Sequence, residues 1–330
     1  MPREPYTLRV SLSPKSPKPG AGTGVEPRPR KPVTLRTLRS MATRGEPFAC
    51  LTAYDATMAR WLERGGVHVL LAGDSAAQVV LGFESTLAMP LDFAIAMTAA
   101  VKRGAPRTLV MADMPFASYH ESDEQAVRNA ARFLTEGLAD VVKLEADASF
   151  ASTVAKLTRA GIPVCAHVGC KPQTVALTGG YRIAGKTAED AERVVADTVA
   201  LERAGAVLLL VEGVPDEVTE AIVEATSVPL IGIGAGTACH GQVLVIQDLL
   251  GLTDDPPRFA EAVVNLGEQV QGAASEWAKR VREGNIGGQR YVMQEGEAAR
   301  FSIRSHPKSE STDAEGGSGP MGTTESPGAS

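Results

Sequence analysis

Five carboxylates in this chain stand at the ends of runs that read as buried strand. Asp55 closes "PFACLTAYD", Asp74 "HVLLAGD", Asp113 "TLVMAD", Glu145 "DVVKLE" and Glu212 "AVLLLVE". His167 ends "IPVCAH", and Asp248 follows "GQVLVIQ". Lys143 lies two residues before Glu145, so on a strand both side chains point to one side. Acids gathered at one place repel each other unless a cation joins them. A hard divalent ion suits such a set, since Mg²⁺ takes one or two carboxylates, substrate oxygens and waters. Lys143 would add a fixed positive charge for an anionic substrate, and one carboxylate would be left over as a base. The chemistry expected is that of a small oxyacid held on Mg²⁺ and deprotonated.

Each residue also has a plainer role. Asp55 could cap the helix that follows it, and Asp248 is expected to cap the next element. Glu145 could simply pair with Lys143, and His167 could be a hydrogen-bonded core histidine. Gly73 and Pro115 beside Asp74 and Asp113 indicate shaped turns rather than ordinary caps. Glu212 follows "VLLLV", where an uncompensated carboxylate is costly, which favours a functional role.

Positioning these residues requires a particular scaffold. Eight short aliphatic runs occur: the six above that end in Asp55, Asp74, Asp113, Glu145, His167 and Glu212, then "VPLIGIGAG" and "GQVLVIQD". Amphipathic stretches such as "ESDEQAVRNAARFLTEG" and "TAEDAERVVADTVALERAG" separate most of them. In the first of these, Ser122 is the expected N-cap and Gly137 the expected C-cap. Strands buried on both faces and separated by helices imply a parallel sheet. Eight of them favour an α/β fold of the (β/α)8 TIM-barrel type, whose chemistry sits where the strands end. The link "TACHGQ" is short for a crossover, so a degenerate seventh helix is expected there.

Composition narrows the function classes. The chain has 330 residues, 44% of them hydrophobic, and a net charge of −6. That charge gives no basic field for nucleic acid or an anionic membrane. No apolar run approaches the ~18 residues of a spanning helix. Cys50, Cys165, Cys170 and Cys239 show no metal-ligand spacing and read as reduced, mostly buried thiols of a cytoplasmic protein. Residues 1–32 and 291–330, rich in Pro, Gly and Ser, are expected to be mostly disordered tails around a catalytic barrel over 33–290.

The ordered motifs "TAYD", "GDS", "ADMPF", "VKLE", "HVG", "GGYR", "VEGVP" and "IGIGAG" together resemble the ketopantoate hydroxymethyltransferase family, from about residue 33 to about 285. The resemblance implies a (β/α)8 barrel, usually assembled as a homodecamer. It implies transfer of a hydroxymethyl group from 5,10-methylenetetrahydrofolate to 3-methyl-2-oxobutanoate on the way to pantothenate. Carried over motif by motif, it makes Asp74 and Asp113 ligands of Mg²⁺, with Glu145 completing the metal environment. The substrate would chelate that ion and so lie against Asp74 and Asp113, with Ser75 and Lys143 also in contact with it. Glu212 would be the proton acceptor.

The chain departs from the family pattern at Ala76-Ala77-Gln78, Cys170-Lys171, His240 and Gln247, and it lacks the customary Glu-His-Ser ending. All lie outside the metal and base set, so any divergence is expected in the keto acid or the one-carbon donor. The alternatives are a paralogue acting on a related 2-oxo acid, a Mg²⁺-dependent carbon–carbon lyase or mutase, and a non-catalytic barrel with a binding role.

Overall fold

The computed structural model describes residues 31–301. Most of the expected disordered tails, residues 1–30 and 302–330, lies outside the described residues. All eight aliphatic runs form strands: β1 (Phe48–Thr52), β2 (Val69–Ala72), β3 (Leu109–Asp113), β4 (Val141–Glu145), β5 (Val164–Gly169), β6 (Leu208–Glu212), β7 (Leu230–Ile233) and β8 (Gly241–Leu244). Each pairs in parallel with the next, and β8 closes on β1 through Phe48↔Gly241 to Leu51↔Leu244. The result is the closed (β/α)8 barrel that the alternation of runs demands.

Alternate residues of each strand point inward, and this period of two divides the barrel interior along its axis. Toward the strand starts the inward positions are apolar: Phe48 and Cys50, Val69 and Leu71, Leu109 and Met111, Val141, Cys165, Leu208 and Leu210, Ile231 and Val243 form one buried cluster. Val33 and Leu38 join that cluster, Leu38 from the helix Leu35–Thr43. Continuing the same inward register toward the strand ends gives Asp113, Lys143 and Glu145, His167 and Glu212. The chemistry-bearing residues are therefore the last inward layers of the core. The outward residues pack instead against the surrounding helices in two further clusters, one of them larger.

Several local expectations are corrected. Seven residues, 234–240, join β7 to β8 with no helix at all, where a degenerate seventh helix was expected. β8 ends at Leu244, and Asp248 lies inside the one-turn helix Ile246–Leu249, so it does not cap it. Its carboxylate accepts from Thr253 Oγ1 at 2.6 Å. Ser122 caps the helix Asp123–Thr135 as expected, accepting from Gln125 N at 3.1 Å. Gly137 is not the left-handed residue at the other end; Leu138 is, with φ 59°. Gly137 is needed because a Cβ there would sit 2.6 Å from the Phe133 carbonyl oxygen.

The chain divides into two compact units, one ending at Gly272 and one beginning at Ala273. The helix Leu266–Arg282 spans that boundary, and its residues from 268 to 282 are all exposed. In the second unit, beyond Arg282, the described residues form a one-turn helix at Glu297–Arg300 and otherwise irregular backbone. Among the described residues, no helix is long and apolar enough to cross a membrane.

Candidate active site

The ends of β2 to β6 bring a linked set of ionisable groups together. Asp113 and Lys143 face each other across paired strands, in register, and their side chains form an ion pair at 2.6 Å with almost no exposure. The second oxygen of Asp113, Oδ2, accepts the Asp74 backbone N–H at 3.1 Å, which draws the loop after β2 onto β3. Gly73 permits this approach: a Cβ there would lie 2.9 Å from Ser75 Oγ and 3.4 Å from Asp113 Oδ2. The Asp74 carboxylate accepts from Gln173 Nε2 at 2.8 Å, and Glu145 Oε2 accepts from Gln173 N at 2.9 Å. Lys143 Nζ also lies 3.3 Å from His167 Nδ1. His167 Nε2 in turn is 3.5 Å from Glu212 Oε2. Ser75 Oγ is 2.9 Å from the Tyr54 hydroxyl. Asp74, Asp113, Lys143 and Glu145 are thus joined through hydrogen bonds and the ion pair, Ser75 follows Asp74 in the chain, and Glu212 lies beside His167.

Burial sets the electrostatics. Asp74, Asp113, Lys143, Glu145 and His167 are all buried. Burial, then the neighbouring charge of Asp113, pushes the Asp74 carboxyl well above the usual carboxylate range; Lys143 and the bond from Gln173 oppose the shift. Burial likewise raises Glu145, against the pull of Lys143. Glu212 is pushed up to about 7, chiefly by burial, with Lys143 opposing and Asp74 and Asp113 reinforcing. Burial works against the Lys143 ammonium, but Asp113, Asp74 and Glu145 outweigh it and hold the lysine above its ordinary range. His167 is pushed far below the usual imidazole range by burial and by the charges of Lys143 and Lys171. A neutral His167 accepting from Lys143 at Nδ1 would carry its proton on Nε2, beside Glu212.

The sequence-derived roles divide. Asp55 caps the helix Ala56–Arg64, accepting from Thr57 N at 2.7 Å and Met58 N at 2.9 Å, and is exposed. Glu145 does not make the ion pair with Lys143; Asp113 does. Among the described residues, no three His, Cys, Asp or Glu side chains stand as a ready-made metal cage. Asp74 and Asp113 nevertheless fit a divalent ion. They are two adjacent, buried carboxylates, and the upward shift of Asp74 comes partly from the Asp113 charge, a repulsion that a cation would relieve. Mg²⁺ needs no more protein oxygens than these.

Tyr54, Tyr119 and Gln173 escaped the sequence reading. Gln173 sits in "KPQT", where a polar loop residue carries no signal of its own. Two of the departures from the family pattern have visible roles. Lys171 Nζ forms an ion pair with Asp147 Oδ2 at 2.6 Å, tying the loop after β5 to the loop after β4. His240 Nδ1 accepts the Leu230 N–H at 3.1 Å at the start of β7. Cys170 is buried, and its thiol is pushed up to about 11 by burial and then by Glu212.

A closed parallel barrel with acids and a lysine sealed at its strand ends defines a (β/α)8-barrel enzyme. The chain belongs to the ketopantoate hydroxymethyltransferase family, whose sequence profile matches residues 32–288. It is 47% identical over 256 residues to the 3-methyl-2-oxobutanoate hydroxymethyltransferase of Halorhodospira halophila, covering 78% of this chain and 93% of the relative. The enzyme of the same description from Hyperthermus butylicus is 46% identical over 260 residues, covering 79% and 90%. Solved structures share the fold at much lower identity. Phosphonopyruvate hydrolase, in complex with oxalate and Mg²⁺, superposes with a TM-score of 0.53 at 16% identity, covering 82% of this chain and 92% of the other. For 2,3-dimethylmalate lyase the TM-score is 0.50 at 18% identity, with 78% and 90% covered.

Proposed function

We propose that this enzyme transfers the one-carbon unit of 5,10-methylenetetrahydrofolate, with uptake of water, as a hydroxymethyl group to 3-methyl-2-oxobutanoate, releasing tetrahydrofolate and giving 2-dehydropantoate for pantothenate synthesis. The observation that carries this reading is the gathering of buried Asp74, Asp113 and Lys143 at the strand ends with the half-buried Glu212, which lies beside His167. Family membership and the names of its relatives supply the substrate.

The roles follow from the chemistry each group can do. Glu212 takes the proton from carbon 3 of the keto acid. An ordinary glutamate is a feeble base; raised to about 7, this one approaches the basicity that proton transfer at neutral pH rewards. Negative charge then develops on the keto oxygen. Lys143, kept protonated by its acidic neighbours, holds the substrate's negative charge and is already in place before the reaction, so its help requires little reorganisation. Ser75, steadied by Tyr54, contacts the substrate. His167 lies beside Glu212, its Nε2 3.5 Å from Oε2. Asp74 and Asp113 would hold Mg²⁺, with Glu145 beside them; when bound, the ion supplies Lewis-acid stabilisation of several kcal/mol to the developing charge. We place the enzyme in the cytoplasm as a homodecamer, in line with its reduced thiols and its family.

The test is product formation, followed by mass spectrometry, from a panel of 2-oxo acids with methylenetetrahydrofolate and Mg²⁺. The expected result is highest kcat/KM on 3-methyl-2-oxobutanoate and near-complete loss of turnover in Asp74→Ala. A different keto acid winning clearly would overturn the substrate. Undiminished, metal-dependent turnover by Asp74→Ala would overturn its role as a ligand.

A further inference from the structure

We propose that Gln173 is a positioning residue of this site: its side-chain amide, locked by Tyr119 and the Met114 carbonyl, fixes how Asp74 is presented, while its backbone holds Glu145. The assignment rests on the reading of Asp74 as a divalent-cation ligand given above and adds to it the group that makes the ligand rigid.

Gln173 belongs to the short 3-10 turn Pro172–Thr174 after β5, and its side chain is buried. From there it reaches the ends of three other strands. Nε2 donates to Asp74 Oδ2 at 2.8 Å beyond β2 and to the Met114 carbonyl at 3.1 Å beyond β3. The backbone N–H donates to Glu145 Oε2 at 2.9 Å at the end of β4. The Tyr119 hydroxyl stands 2.8 Å from Gln173 Oε1 and 3.1 Å from the Glu145 carbonyl oxygen, with a single hydrogen to donate between them. It also accepts the Glu145 backbone N–H at 3.2 Å.

This network leaves the amide one orientation. A carbonyl such as that of Met114 can only accept, and so can an ionised Asp74. Turning the amide over would set Oε1 against both of those oxygens. These two acceptors therefore force the amide hydrogens toward Asp74 and Met114 and leave Oε1 to accept from the Tyr119 hydroxyl. A carboxylate tied through one oxygen to a buried, locked donor loses its freedom to rotate. Partners of this kind, standing behind the direct ligands, typically change metal affinity by 10- to 100-fold when removed. Gln173 also couples Asp74 and Glu145, which lie 71 residues apart in the chain, through its side chain and its own backbone.

The experiment uses Mn²⁺ as the probe, read as free ion by electron paramagnetic resonance, on the full-length protein without substrate. Wild type, Asp74→Ala, Gln173→Met, Tyr119→Phe and the Gln173→Met/Tyr119→Phe double variant are compared, each with a thermal melt by circular dichroism. Gln173→Met is expected to bind Mn²⁺ about 10- to 100-fold more weakly than wild type without a matching loss of melting temperature. Tyr119→Phe is expected to lose less, in the same direction. The double variant should be no weaker than Gln173→Met, because the tyrosine acts through the glutamine. Wild-type Mn²⁺ affinity in a folded Gln173→Met protein, beside weakened binding in Asp74→Ala, overturns the assignment alone. Equal affinity in wild type and Asp74→Ala overturns the cation reading and the assignment with it. Should Gln173→Met fail to fold, Tyr119→Phe decides, since it removes a single hydroxyl: unchanged affinity there overturns the proposal.

Discussion

Asp113 uses both carboxylate oxygens inside the site, one on Lys143 and one on the backbone of Asp74. The arrangement makes Lys143 structural as well as functional. Removing one partner of a buried pair strands the other charge in a medium that cannot solvate it, at about 3–5 kcal/mol. Lys143→Ala is therefore expected to lower unfolding stability by about that amount in a urea titration, on top of its loss of activity. Glu212 differs in being the most open of the site carboxylates, 21% exposed against 4–5% for Glu145 and Asp113. A base must be ionised, and its raised pKa of about 7 places the ionised form above that pH. The rate of carbon-3 deprotonation should rise tenfold per pH unit up to about 7 and then level off. A pH profile flat from 5 to 8 would remove Glu212 from that role.

Strands and helices succeeded or failed as sequence readings for identifiable reasons. The eight strands were readable because runs such as "VLLLVE" and "LVMAD" are apolar on both faces, as strands covered by helices must be. The helix ends were partly readable. Ser122 and Asp55 act through their own side chains, and side-chain caps are visible in sequence. The end at Gly137-Leu138 was misread because packing against Phe133 takes the glycine, and the left-handed turn falls on leucine. A non-glycine residue there is strained by about 1–2 kcal/mol. Leu138 is 43% exposed and loses little if truncated. Leu138→Gly is therefore expected to stabilise the protein by about 0.5–1 kcal/mol, after the extra chain entropy of glycine is subtracted, with activity unchanged. A lower melting temperature in that variant would show that the leucine contributes more through contacts than its backbone costs. The β7–β8 link was misread because the length rule assumes a covering helix, and seven residues without one suffice here.

The barrel as a whole converts sequence alternation into a site. Closure through β8 and β1 turns eight separate strand ends into one ring, and the inward period of two that places Leu109 and Met111 in the core places Asp113 above them. This is why Asp113, Lys143, Glu145, His167 and Glu212 could be found from sequence: each continues the inward register of an apolar strand. Gln173, Tyr119 and Tyr54 could not, because each reaches the site from beyond a strand end through contacts over 20 to 100 residues of chain separation. The closed ring also explains why no acid needs to travel far to meet a cation. The central claim is that these residues deprotonate carbon 3 of a 2-oxo acid with the help of a divalent ion. The most direct measurement is hydrogen–deuterium exchange at carbon 3 of 3-methyl-2-oxobutanoate in D₂O, followed by proton NMR without folate, on chelator-treated protein before and after Mg²⁺ is restored. Exchange should depend on Mg²⁺ and be abolished in Glu212→Gln while that variant still binds the keto acid. Exchange at the wild-type rate in Glu212→Gln, or no exchange in the Mg²⁺-loaded wild type, would contradict it.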